Sequence, residues 1–249
     1  MSGHSKWSTI KHKKGAADAA RGKLFAKLLR QVEVAAREGG GDIEGNPTLR
    51  TMVAKCREAS VPTENITRAI KRGTGELEGV TYEAITYEGY APAGVAMLVE
   101  VLTDNRNRAA AEIKNIFSRN GGSLAEPGAV AWQFERQGII TVDGSADEDA
   151  LMEAALEAGA QDVVRVGDQW HVTTDPSDAP GIHEALVGAG FANAQVEVTR
   201  VAQNNVELTD PSDAKKVLRL LDSLEDHDDV QNVYANFDAS DEVMEAATA

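Results

Sequence analysis

The residues of this chain most suited to chemistry are cations set in rows. Lys6, Lys11, Lys13 and Lys14 crowd the first fourteen positions, with His4, Trp7 and His12 between them. Further on, Lys23, Lys27, Arg30 and Arg37 recur at intervals that keep them within about 80° of one another on a helix. Leu24, Phe25, Leu28, Leu29, Val32, Ala35 and Ala36 fill the opposite arc. A cationic stripe opposite an apolar face, entered from a lysine-rich arm, suits a row of phosphates. Its ordinary alternative is a solvated helix face. Phosphate contacts position a protein without reading sequence. If about six cations each neutralised one duplex phosphate, log K would fall with log[salt] with a slope of about −5. Arg50, Arg57, Arg68, Lys71 and Arg72 add charge nearby. Trp7 has two readings: stacking on a base or wedging between base pairs, or packing against the helices.

A second candidate is Asp104-Asn105-Arg106-Asn107-Arg108, between a strand and a helix start. Free backbone N–H groups there favour anions, and Arg106 and Arg108 could add charge-assisted hydrogen bonds to a phosphate or carboxylate. The simpler reading is that Asp104 or Asn105 caps the helix and both arginines are solvated.

Signals for catalysis are weak. Cys56 falls on an apolar helical stripe and reads as a core residue. The chain has no G-x-S-x-G elbow and no Walker loop. Gly73-Thr74-Gly75 follows a helix, not the strand that a dinucleotide fingerprint requires. The five histidines lack metal-ligand spacing, and a single cysteine makes no pair. Asp222 to Asp229 (DSLEDHDD) lacks the glycine turn of a calcium loop and reads as a solvated helix end. No catalytic residue, metal or cofactor is expected.

These cations need a scaffold, and 249 residues suit two or three domains. The hydrophobic fraction of 42% allows ordinary cores. The formal charge of −15 is unevenly spread: residues 1–79 hold 15 Lys/Arg against 9 Asp/Glu, a net +6, and the remainder carries −21. A basic end on an acidic chain suggests an anionic partner for that end. The acidic body would be repelled by nucleic acid, or merely aids solubility. One cysteine excludes an internal disulfide and fits a reducing cytoplasm. The polar first residues lack a signal-peptide core, and the longest apolar run, Val95 to Val99, is far too short for a bilayer.

Residues 2–15 read as an irregular arm. Helices follow over Ala16–Glu38, from Asn46-Pro47, and over Thr63–Gly73, punctuated by Gly39-Gly40-Gly41 and the linker Thr74–Gly79. From Val80 the apolar period becomes 2: two strands, a helix over Asn105–Asn120, then a short hairpin over Ser123–Glu135 around Pro127-Gly128. Residues 136–205 repeat the order βαββαβ of a ferredoxin-like unit. The last helix and strand, Ser212–Leu224 and Val230–Phe237, cannot bury a core alone. Joined to residues 80–135 they complete a second such set with an extra leading strand. The expectation is therefore an α+β chain: a basic arm and three-helix bundle (1–79), a discontinuous ferredoxin-like α/β domain (80–135 and 206–240), a second one inserted in it (136–205), and an acidic, aperiodic tail (241–249).

The run GHSKWSTIKHKKGAADAARGKLFAKLLR closely resembles the signature of the YebC/PmpR family. GGGDIEGNPTLR, VPTENITRAIKRGTGE and YEGYAPAGVAMLVEVLTDNRNRAAAEIKNIFSRNGGSLAEPGAVAWQF extend the resemblance over nearly the whole chain. It implies the same architecture, and a transcriptional regulator that binds DNA in the bacterial cytoplasm. Related members include mitochondrial translational activators that act at the ribosome, which implies as alternative partners ribosomal RNA or transfer RNA during translation of difficult, proline-rich stretches. The family has no established catalytic site or cofactor. The matching basic positions are Lys6, Lys11, Lys13, Lys14, Arg21, Lys23, Lys27 and Arg30. A non-enzymatic, cytoplasmic, monomeric nucleic-acid-binding protein with no membrane contact is the resulting expectation.

Overall fold

Asn46 shows how the first helices are fixed. Its buried side chain accepts from the Leu49 N–H at 3.1 Å and so caps helix α2 (Pro47–Glu58). Its amide also donates to the carbonyls of Ala35 and Gly40 at 2.8 and 2.9 Å, tying that cap to the end of helix α1 (Ala17–Gly39). Gly40 leaves the helix at φ 86°, which only glycine adopts without strain. Helix α3 (Thr63–Gly73) closes the bundle around Val32, Leu49, Val53, Cys56, Ile66 and Ala69. Buried Glu33 on α1 bonds Arg72 on α3 at 2.9 Å. These coordinates are a computed structural model that describes residues 17–248.

The body holds two four-stranded antiparallel sheets. In the first, strands β1 (Glu83–Tyr90), β2 (Ala96–Thr103), β3 (Ser123–Leu124) and β9 (Val230–Ala235) lie in the order β3-β1-β2-β9. Helices α4 (Arg106–Arg119) and α7 (Pro211–Glu225) cover one face, burying Met97, Val99, Ile113, Phe117, Leu221 and Leu224. The second sheet uses β4 (Phe134–Asp143), β5 (Asp162–Val166), β6 (Gln169–Thr174) and β7 (Gln195–Ala202), ordered β5-β6-β4-β7. Helices α5 (Glu148–Glu157) and α6 (Ala179–Gly188) pack Leu151 and Leu186 onto Ile140, Trp170 and Val172. Its topology is ferredoxin-like, and it interrupts the first unit. The fold is α+β: a helical bundle and two ferredoxin-like units, one inserted in the other.

Four local expectations change. The Ser123–Glu135 hairpin does not form. Only Ser123–Leu124 pairs with β1, and Phe134 opens the ten-residue β4 of the other sheet. That strand runs through Gly138. Gly138 lies where any Cβ would meet Thr174 and Ala179, so glycine admits the close approach of α6. A boundary between 135 and 136 would cut β4; the chain crosses where Gln203 N–H donates to the Gln133 carbonyl at 2.8 Å. The leading strand β1 is not extra, because it fills the place between β3 and β2 that the lost hairpin arm would take. The acidic tail has structure: just before it β10 (Phe237–Ala239) pairs in parallel with β8 (Val206–Leu208), and within it Asp241–Thr248 form helix α8 with Met244 and Ala247 buried. Its apolar spacing is too short to stand out from the surrounding acids.

Candidate nucleic-acid interface

The stripe on α1 faces the body of its own chain. Lys23 Nζ lies 2.6 Å from Asp226 Oδ1 and 3.2 Å from the Asp226 carbonyl. One turn on, Lys27 Nζ donates to the Glu225 carbonyl at 2.6 Å. Arg30 reaches the Asp228 carbonyl at 2.7 Å and Asp229 Oδ1 at 2.8 Å. Gln31 and Gln231 extend the row with a bond of 3.0 Å. The opposing segment is the loop between α7 and β9. The last turn of α7 contains no basic residue, and Asp222, Glu225 and Asp226 crowd its carbonyl end. That end carries partial negative charge, so acids there are misplaced unless cations come from elsewhere. Helix α1 supplies them.

Asp229 is the centre of this contact. Its side chain is 5% exposed and accepts from Arg30, from Arg108 at 2.9 Å and from the Thr103 hydroxyl at 2.8 Å. Burial alone would raise its pKa. Hydrogen bonds from Arg108 and Thr103 and the charges of both arginines outweigh it and hold the carboxyl below the usual range. His227 Nδ1 accepts from the Asp229 N–H at 3.1 Å, which leaves Nε2 to donate to Glu112 at 2.8 Å. Arg30 also lies 5.7 Å from the centre of the Tyr82 ring. Between these elements lies an open cleft of about 650 Å³, lined by Lys23, Arg30 and Arg108 together with five carboxylates and His227. Its signs are mixed, so the closed arrangement is poorly suited to draw in a bare phosphate.

The other sequence-derived candidates separate into groups. Lys6, Trp7, Lys11, Lys13 and Lys14 lie outside the described residues. Arg21 and Arg106 are exposed, and neither has an ion pair or side-chain hydrogen bond among the described residues. Arg108 is committed to Asp104 and Asp229, and Asn105 caps α4 by accepting from the Arg108 N–H at 3.1 Å. The capping alternative therefore holds for Asn105, whereas Arg108 is paired. Within the bundle, Arg50 donates to the carbonyls of Ile43 and Glu44, Arg68 pairs with Glu64, and Arg37 reaches the Val80 carbonyl. Arg57 and Lys71 are exposed without such partners among the described residues. The sequence reading missed the Glu225–Asp229 loop, taking it for a solvated helix end. The available signal was an acidic run at the wrong end of a helix.

Cys56 is buried, and burial raises its thiol pKa, as expected of a core residue. Among the described residues, no group of three or more His, Cys, Asp or Glu could hold a metal ion. None of the described helices is long and apolar enough to cross a membrane.

Comparison with known proteins gives consistent matches along the chain. Residues 5–76 match a family model described as "TACO1/YebC protein N-terminal domain", and residues 82–237 match "TACO1/YebC second and third domain". A protein of Halothermothrix orenii is 54% identical over 251 residues, spanning 100% of this chain and 99% of its own length. One from Desulfatibacillum aliphaticivorans is 56% identical over 98% of this chain and 99% of its own. Both are named "Probable transcriptional regulatory protein". The crystal structure of a conserved hypothetical protein from Aquifex aeolicus superposes with a TM-score of 0.84 at 44% identity, covering 94% of this chain and 97% of that one.

Proposed function

The chain belongs to the TACO1/YebC family, and from that premise we propose that it regulates gene expression by binding DNA through residues 1–79, without catalysis. One observation carries this reading. Lys23, Lys27 and Arg30 already grip a line of oxygens at 2.6 to 2.8 Å, so this face of α1 is spaced to hold successive oxyanions. The arm lysines Lys6, Lys11, Lys13 and Lys14 are assigned to further phosphates, with Trp7 as a stacking group; exposed Arg21, two residues before Lys23, adds charge on the opposite side of α1 rather than in the row. Arg106 offers a further anion contact on the body. The relatives' name points to transcription and hence to DNA. The working state is a cytoplasmic monomer.

Ribosomal or transfer RNA is the second reading, favoured by how the bundle uses its arginines. Arg50 and Arg68 are turned onto the bundle's own carbonyl and carboxylate groups, so neither is poised to read a guanine edge. Binding would then follow backbone and shape. The deciding experiment pairs two measurements on the full chain. Salt-dependent binding to a promoter duplex that exceeds binding to its scrambled sequence supports transcription. RNase-sensitive co-sedimentation with ribosomal particles, without that discrimination, supports translation. Absence of binding to either nucleic acid at low salt refutes both.

A further inference from the structure

The cations assigned above to nucleic acid are held by oxygens of the same chain. The loop presents the Glu225, Asp226 and Asp228 carbonyls and the Asp226 and Asp229 carboxylates to α1. Each oxygen bears full or partial negative charge, as phosphate oxygens do. The outer part of the contact is accessible: the Lys23 and Asp226 side chains are 39% and 73% exposed. Partners can exchange there without opening a core. The inner part is anchored independently of α1, because Thr103 and Arg108 hold Asp229 within the body. Helix α1 can therefore leave while the loop keeps its place.

We propose that the Glu225–Asp229 loop is a built-in competitor for phosphate: it holds the α1 stripe in the free protein and must release it before Lys23, Lys27 and Arg30 can grip a nucleic-acid backbone. This rests on the reading of the stripe as a nucleic-acid site and adds its regulation. One set of donors cannot satisfy both rows of oxygens. Binding is weakened by the cost of parting α1 from the loop, and conditions that loosen the contact strengthen binding.

The test locks the contact without altering a charge. Gln31 and Gln231 face each other across the same boundary and are neutral. A Gln31→Cys/Gln231→Cys variant closed by a short bis-maleimide fixes α1 against the loop. Buried Cys56 does not compete for the reagent. Binding of a fluorescent DNA duplex and of an RNA of equal length is compared before and after cross-linking. The locked form is expected to bind about tenfold more weakly, since the three phosphate contacts denied to the stripe, made at an exposed surface, are together worth roughly that factor. In a second variant, Asp226→Asn raises affinity about two- to fivefold. Glu153→Gln, which removes the same charge from an exposed position on the inserted unit, serves as its control. Equal affinity of locked and unlocked protein, or equal gains from Asp226→Asn and Glu153→Gln, overturns the proposal while leaving nucleic-acid binding intact. Binding by neither form overturns the underlying reading, and this proposal with it.

Discussion

Asp229→Asn tests the electrostatic centre of the molecule. The wild-type carboxylate takes Arg30 on Oδ1, and Arg108 and Thr103 on Oδ2. An amide can keep its oxygen toward Arg108 and Thr103, but its NH2 then faces the Arg30 guanidinium, donor against donor. The variant loses one charge-assisted bond and leaves a cation unpaired. Such a bond is worth about 1.5–3 kcal/mol, and because Arg30 keeps access to water we expect a loss of about 2 kcal/mol. The pH dependence has a definite sign. The folded pKa of Asp229 lies below its ordinary value of 3.8. Its contribution is therefore complete above that value and disappears as pH falls through the folded pKa. Hydrogen exchange reads this locally. Peptides covering α1 and residues 225–231 should exchange about thirtyfold faster in the variant at neutral pH. Peptides of the inserted sheet should be unchanged. The difference should close in acid, where the wild type is protonated as well. Equal exchange at neutral pH, or a gap that persists in acid, would refute the reasoning.

Glu88→Gln should lower the unfolding midpoint, at a cost of about 1–3 kcal/mol, because one buried carboxylate accepts the N–H groups of Gly128, Val130 and Ala131. Burial raises the Glu88 pKa, but those three bonds outweigh it, so thermal scans should show the penalty at neutral pH and its loss in acid. Met244→Ala should cost about 2–5 kcal/mol in urea unfolding, as expected for a buried side chain on the first unit's core; an unchanged midpoint would mean that α8 is not docked there.

The elements with strong local chemistry were legible in the sequence. Asn46-Pro47 and Asn105 cap the helices that their spacing announces, and the βαββαβ rhythm of the insert survives intact. What escaped depends on long-range choice. Ser123 to Glu135 reads as a hairpin because two short apolar runs flank Pro127-Gly128. Yet Phe134 finds Ala202 as its neighbour, and Glu88 captures the turn. Local pattern cannot reveal which sheet a strand will join. The stripe on α1 was legible as a stripe. Its partner was not, because Lys23 and Asp226 stand 203 positions apart.

That separation changes what mutagenesis of the stripe can decide. Reversing Lys23, Lys27 and Arg30 would remove phosphate contacts, and it would also set like charges against Asp226 and Asp229. It would further strip the end of α7 of the cations that its own last turn lacks. Loss of function would then follow from either a binding role or a docking role. The informative substitutions lie across the boundary. Changes in the loop leave every cation in place, so competition predicts tighter binding where pure architecture predicts none. Because only competition predicts a gain in affinity there, the acidic loop is the better place to establish what the basic stripe is for.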